Sequence, residues 1–283
     1  MLQASVRRRS LLRCLSLALI LLTACATALA SADTADLLLH YDFDGAATAR
    51  VSDRSGHGVD ALFAGFDAAG DAPVPLAEGV SAGAQDRCFD NSSATGMGAE
   101  GRGGAVRSRR FVSGPLDSLT ITGWFKTEGN VWLDHLARLT EARGRPNLSL
   151  MAVNGQLLFK LGESSFMSAA AYHQTSTWVF FAVSYDGTLP PTADNVRFYV
   201  GTTKVPVKLV NKGSLLPPLG SWQGTEAGSE LTWGNGVAQE FLGDRPLDGC
   251  MDDLRFYGKG DGGGGALDSE RLERVRQSAL GSP

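Results

Sequence analysis

The sequence predicts an all-β fold, two antiparallel sheets packed as a sandwich and closed by a short C-terminal helix. Three observations predict it. Short segments alternate apolar and polar residues with the two-residue period of a strand, and turn residues separate them. The composition is 43% hydrophobic and 20% charged, with 35 glycines in 283 residues, which is that of a globular chain with many turns. Only the tail, Leu267–Gln277 (LDSERLERVRQ), departs toward a helical pattern.

The chain starts with a targeting pattern. Arg7, Arg8, Arg9 and Arg13 form a positive region, and Leu15–Leu22 is an apolar run too short to span a bilayer comfortably. Two exits compete. Ala28-Leu29-Ala30 reads as a cleavage site that makes residues 1–30 a signal peptide, with 31–36 a short linker. Leu22-Thr23-Ala24-Cys25 reads as a lipobox that would leave Cys25 lipidated and the protein tethered to the cell envelope. Either way the product is exported, secreted or periplasmic in the first case. Removing four arginines and no acids moves the net charge from −4 to −8, which leaves no electrostatic footprint for nucleic acid. No later apolar run approaches the length of a transmembrane span. The remainder fits one domain over 37–277 and a tail over 278–283.

Within that domain, Leu37–Phe43 (LLLHYDF) reads as the first strand, ended by Asp44-Gly45. Asp53–Asp60 is a turn cluster leading into Ala61–Ala64, and residues 65–85 read as a surface loop. Cys88-Phe89 and Ala105–Val112 read as strands around the glycine-rich stretch Ser92–Gly104. Leu119–Thr127 (LTITGWFKT) alternates cleanly. Val131–Leu139, Asn147–Val153 and Gln156–Leu161 continue the meander, with Asn154-Gly155 a hairpin turn signal. Trp178–Tyr185 (WVFFAVSY) is apolar on both faces and reads as a central strand. Val196–Val200, Lys204–Val210 and Leu231–Trp233 follow it. In the tail, Asp268 or Ser269 is the expected helix N-cap, with Glu270 in the first turn.

The closing strand, Leu247–Tyr257 (LDGCMDDLRFY), is the most informative segment. Strict alternation places Cys250, Asp252, Leu254 and Phe256 on one face, which carries the Asp252 carboxylate toward the core. There it needs a cation, a metal or several donors, because an unpaired buried carboxylate costs several kcal/mol, roughly. Cys88 and Cys250 are the cysteines outside the targeting segment, and an oxidising compartment favours a disulfide between them. Against it, Phe89 facing the core turns Cys88 outward while Cys250 faces in, a mismatch that a bulge would reconcile.

Four pieces of this sequence together resemble the laminin-G-like jelly rolls of the concanavalin A-like lectin/glucanase group. They are Tyr41–Gly45 and Asp53–Gly58 (DRSGHG), then Leu119–Lys126 with Trp178–Gly187 and Val196–Val200, and last Asp248–Tyr257. The resemblance implies a two-sheet antiparallel jelly-roll sandwich with a short C-terminal helix, and a protein that binds a glycan or another protein. Many members of the group hold structural calcium. Its topology makes first and last strands neighbours, which would gather Asp42, Asp44, Asp53, Asp252 and Asp253 as oxygen ligands for Ca²⁺.

Catalytic patterns are missing. The glucanases of this fold use an E-x-D-x-x-E strand, and no such set of acids occurs here. Gly79-Val80-Ser81-Ala82-Gly83 matches G-x-S-x-G without the strand and helix that motif requires. For binding, Trp124 alternates with Thr120, Thr122 and Lys126, and Tyr199 with Arg197, while Trp132, Trp222 and Trp233 are candidates to line a groove built from loops; the alternative for Trp124 is packing under a covering loop or strand. The expected function is therefore a non-catalytic binding module for polysaccharide or a cell-surface glycan. The alternatives are a scaffold or adhesion domain that binds an envelope protein, and third an unrecognised carbohydrate-active enzyme.

Overall fold

A computed structural model describes residues 37–45, 47–65, 73–95, 103–109, 111, 113–129, 133–141, 144, 146–173, 176–190, 195–211, 220–236 and 245–281. The chain divides into two units, residues 1–37 and 38–283, and the sandwich is the second. Its strands are β1 (Leu37–Tyr41), β2 (Arg50–Val51), β3 (Ala61–Ala64), β4 (Leu76–Glu78), β5 (Arg87–Asp90), β6 (Ala105–Ser108), β7 (Ser118–Thr127) and β8 (Asp134–Thr140). Then come β9 (Pro146–Val153), β10 (Gln156–Leu161), β11 (Ser164–Met167), β12 (Val179–Asp186), β13 (Val196–Thr202), β14 (Lys208–Leu209), β15 (Glu230–Trp233) and β16 (Gly249–Lys259). Helix α1 (Ser269–Ala279) ends the fold.

Two antiparallel sheets result. The first runs β14-β13-β12-β7-β16-β5-β4, with β1 also paired to β16, and the second runs β11-β10-β9-β8-β15-β6-β3-β2. Their facing side chains form one core, which includes Phe63, Phe89, Phe125, Phe159, Phe181, Trp233 and Phe256. Burial of this kind stabilises by about 25 cal/mol per Å² of apolar surface. Three strands escaped the pattern reading because each is short. β4 lies inside the segment expected to be a surface loop, and β2 and β11 also give too few residues for a period to show. The expected strand at Lys204–Val210 shrinks to Lys208–Leu209 because the chain before it forms a turn on Thr202.

The closing strand corrects the alternation reading. Its register against β7 shifts between Asp252 and Arg255, and Asp253 has φ of 48°, so a bulge inserts one residue there. Asp252 stands opposite Trp124, Met251 opposite Phe125. Met251, Leu254 and Phe256 therefore face the core, while Cys250 and Asp252 face away from it with Trp124. Gly123 lies opposite the bulge. A Cβ there would stand 2.7 Å from Leu254 Cδ2 and 2.9 Å from Phe181 Cζ, so only glycine leaves room for the bulged leucine.

The outward face of the first sheet is covered. Asp268 caps α1 by accepting from the Arg271 amide at 2.9 Å, as one of the two sequence candidates predicts. Thr120 Oγ1 donates to the Gly265 carbonyl and Ser184 Oγ to the Leu267 carbonyl, which ties the approach to α1 across β7 and β12. Arg276 Nη1 then reaches the Thr202 carbonyl at 2.7 Å, and Glu273 accepts from the Val207 amide at 2.9 Å. Among the described residues no helix is long and apolar enough to cross a membrane.

Candidate functional site

The first and last strands meet, and their charges pair there. His40 Nε2 lies 2.7 Å from Asp253 Oδ1, and Arg255 donates to the same oxygen through Nε and Nη2 at 3.1 and 2.8 Å. Burial alone would raise the Asp253 pKa; Arg255 and His40 beside it outweigh that and hold the carboxyl below its ordinary value. Asp252 is the opposite case. Burial pushes it well above the usual carboxylate range, and the Val80 amide at 2.9 Å offsets only part of that.

The five acids assigned to calcium do not gather round one point. Asp42 pairs with Arg54 at 3.0 Å. Asp44 accepts from the Arg87 amide, and Asp53 accepts from the amides of His40, Ser55 and Val59 and from the Ser55 hydroxyl. Asp53 is therefore the organiser of the turn that the sequence shows as DRSGHG. Among the described residues no three His, Cys, Asp or Glu side chains are placed to hold a metal ion. As placed, these residues do not fit a shared calcium ion: Arg54 or backbone amides bind Asp42, Asp44, Asp53 and Asp252, and His40 and Arg255 converge on Asp253 Oδ1.

Cys88 and Cys250 lie on the neighbouring strands β5 and β16, and the bulge puts them on one face. Both are buried free thiols, and Cys250 Sγ lies 3.8 Å from Asp90 Oδ1. The Cys250 thiol and then burial push the Cys88 pKa up. The motif Gly79–Gly83 forms a turn in which the Asp86 carboxylate accepts from the Ser81 amide, with no helix after it.

The aromatic candidates among the described residues are buried. Trp124 is 0% exposed on the face that α1 crosses, edge-on to Phe180. Tyr199 is 4% exposed on the same sheet. Trp233 lies in the core, and Trp222 donates Nε1–H to Asn147 Oδ1 at 2.7 Å while packing on Phe256. Trp132 lies outside the described residues, as do the targeting segment and Cys25. Among the described residues the half-buried tryptophan is Trp178, with Lys126 Nζ 5.3 Å from its ring centroid.

A cleft of ≈ 460 Å³ opens beside Trp178, where a loop crossing from the second sheet meets the ends of β12 and β13. Its lining includes Tyr172, His173, Thr177, Thr202, Val205 and Lys208. Both walls are fixed. The amides of Ala171 and Tyr172 donate to the Gly155 carbonyl, Ala169 donates to Val210, and the Tyr172 ring packs edge-on to Phe125 at 5.1 Å. Opposite, Thr202 Oγ1 accepts from the Val205 amide at 2.9 Å, and α1 braces the same turn from behind. An aromatic ring, an imidazole, two hydroxyls and an ammonium thus border an apolar floor, and no carboxylate is among the lining residues. Behind Tyr172, burial and then the neighbouring Asp248 raise the Asp134 carboxyl to about 7. Sequence reasoning missed Tyr172 and His173, which belong to an irregular loop with no period to mark them.

No protein-family model matches this sequence, and no curated protein does. Solved structures share the fold. One is domain 4 of AbnA, a GH43 extracellular arabinanase from Geobacillus stearothermophilus, in complex with arabinotriose. It is 18% identical with a TM-score of 0.55, covering 86% of this chain and 98% of that one. The botulinum neurotoxin serotype G binding domain is 12% identical (TM-score 0.52), with 86% of this chain and 51% of that one covered. A botulinum neurotoxin type C structure, whose cell entry depends on interaction with two ganglioside molecules, is 14% identical (TM-score 0.51, 87% and 52% covered). The chain spans about half the length of these neurotoxin chains. At such identities the likeness is one of fold, a jelly-roll β-sandwich.

Proposed function

We propose that this chain is an exported, non-catalytic glycan-binding module of the laminin-G-like type, and that the cleft beside Tyr172 and His173 holds a neutral sugar. One observation carries the reading. The cleft offers apolar surface and ring edges for the C–H face of a sugar, with hydroxyl and imidazole groups for its oxygens. It offers no pair of carboxylates of the kind that glycoside hydrolysis requires. The fold neighbours solved with arabinotriose, or linked to ganglioside interaction, support saccharide as the ligand class.

A panel of neutral oligosaccharides that includes arabinotriose tests this. His173 is exposed, so His173→Ala is expected to weaken the retained saccharide about tenfold, with the melting temperature unchanged. A panel with no retained sugar, or a variant that binds equally well, contradicts the assignment. The alternative of a protein partner draws on Val205 and Leu209, large apolar residues 48% and 53% exposed beside the cleft. Binding to an envelope protein that survives excess oligosaccharide would favour it.

A further inference from the structure

A second cleft, ≈ 270 Å³, lies on the outward face of the second sheet, and it differs in chemistry from the first. Its lining includes Arg50, Asp60, Leu62, Arg107 and Arg109. Register explains how they meet. Arg50 stands opposite Leu62, and Leu62 opposite Arg107, so the three form one row across β2, β3 and β6. Their neighbours Val51, Phe63 and Val106 fill the core, which sends the row outward.

The arginines are oriented but not used up. Glu230 on β15 accepts from Arg107 Nε and Nη2 at 2.9 and 2.8 Å, and both side chains of that pair are mostly buried, so the fork is held rigidly. Arg109 touches Glu230 through Nε at 3.3 Å, with 70% of its side chain exposed. Arg50 keeps a 3.5 Å ion pair with Asp60 and is 65% exposed. Each guanidinium carries five N–H donors, so most of those on Arg50 and Arg109 remain for a ligand. Three cations against two acids leave a local positive excess on a chain whose net charge is −4. Between the cations Leu62 is 44% exposed, an apolar step in the middle of the row.

We propose that this cleft is a second saccharide site, selective for an acidic sugar whose carboxylate lies between Arg50, Arg107 and Arg109 while its ring rests on Leu62. The planar guanidinium matches a carboxylate in two-point geometry, which a neutral hydroxyl cannot reproduce. The exposed leucine favours an amphipathic sugar ring over a bare inorganic anion. This site does not depend on the neutral-sugar assignment made for the Tyr172 cleft.

Calorimetric titration of the mature protein with trigalacturonate, its methyl ester, and inorganic phosphate tests the proposal. The acid is expected to bind at least about tenfold more tightly than the ester, and the binding to weaken as salt rises. The double variant R50Q/R109Q changes exposed side chains, so it is expected to lose that binding at an unchanged melting temperature, whereas H173A is expected to retain it. Equal affinity for acid and ester, phosphate binding as tightly as trigalacturonate, or full binding by the double variant would each overturn the proposal.

Discussion

The seam between β1 and β16 and the cleft beside Tyr172 both involve the first sheet, yet they use polar side chains in opposite ways. In the seam, Asp253 meets His40 and Arg255, Asp42 meets Arg54, and Asp53 collects four donors within its own neighbourhood. Its charges are consumed by the fold. In the cleft, His173 and Lys208 stand on a lining that holds no acid among the described residues, and large apolar residues beside it stay exposed. A cluster of conspicuous charged residues can therefore be structure, while a loop of ordinary composition lines the cleft.

The largest effect that would test this contrast is in the seam. Asp253→Asn removes the anion between Arg255 and His40 and leaves a largely buried guanidinium uncompensated. It is expected to cost about 3 kcal/mol or more in denaturant unfolding while saccharide binding by the folded fraction persists. The stability Asp253 contributes is present above the ordinary carboxylate pKa and is lost as pH falls through its lowered folded value. A variant as stable as the parent would show that the seam does not hold the chain ends.

Asp252 gives a smaller effect of opposite sign. Its folded pKa is raised, so the folded state keeps the proton after the unfolded chain has released it above 3.8. Stability is therefore lost as pH rises from that value, and Asp252→Asn is expected to melt about 2–4 °C above the parent at pH 8 and level with it near pH 4. An equal difference at both values would mean that ionisation plays no part. The smallest effects belong to the rim. Asp42→Asn breaks an exposed pair with Arg54 and is expected to change stability by less than about 1 kcal/mol. Chelator is expected to leave the melting temperature in place, because among the described residues no three acids converge on one point; a fall of several degrees, roughly, would restore a metal to the seam.

Much of the fold is legible in the residues. Leu119–Thr127 alternates because one side faces the core and the other faces α1, and Asp268 announces the helix that does the covering. The meeting of Leu37–Tyr41 with the closing strand followed from the family likeness and stands in the sheet order. The bulge was not legible. LDGCMDDLRFY looks like unbroken alternation, and a single residue at positive φ leaves no trace in composition, so the period puts Asp252 and Leu254 on one face although they lie on opposite faces. The burial of Trp124 has a related cause. Trp124 does point away from the core, but whether an outward face is wet depends on the segment leading into α1, which reaches Thr120 on β7 from 145 residues later in the sequence. The cleft was hidden because its walls, Tyr172 with His173 and Thr202 with Val205, come from different sheets and meet only in the folded chain.

Amide chemical-shift mapping of the mature protein, titrated with arabinotriose or another neutral saccharide retained from the panel, tests the central claim most directly. Shifts concentrated at residues 170–173 and 200–208, with 37–41 and 249–259 unmoved, are the predicted result. Shifts centred on the strand seam, or spread evenly over the sandwich, would contradict it.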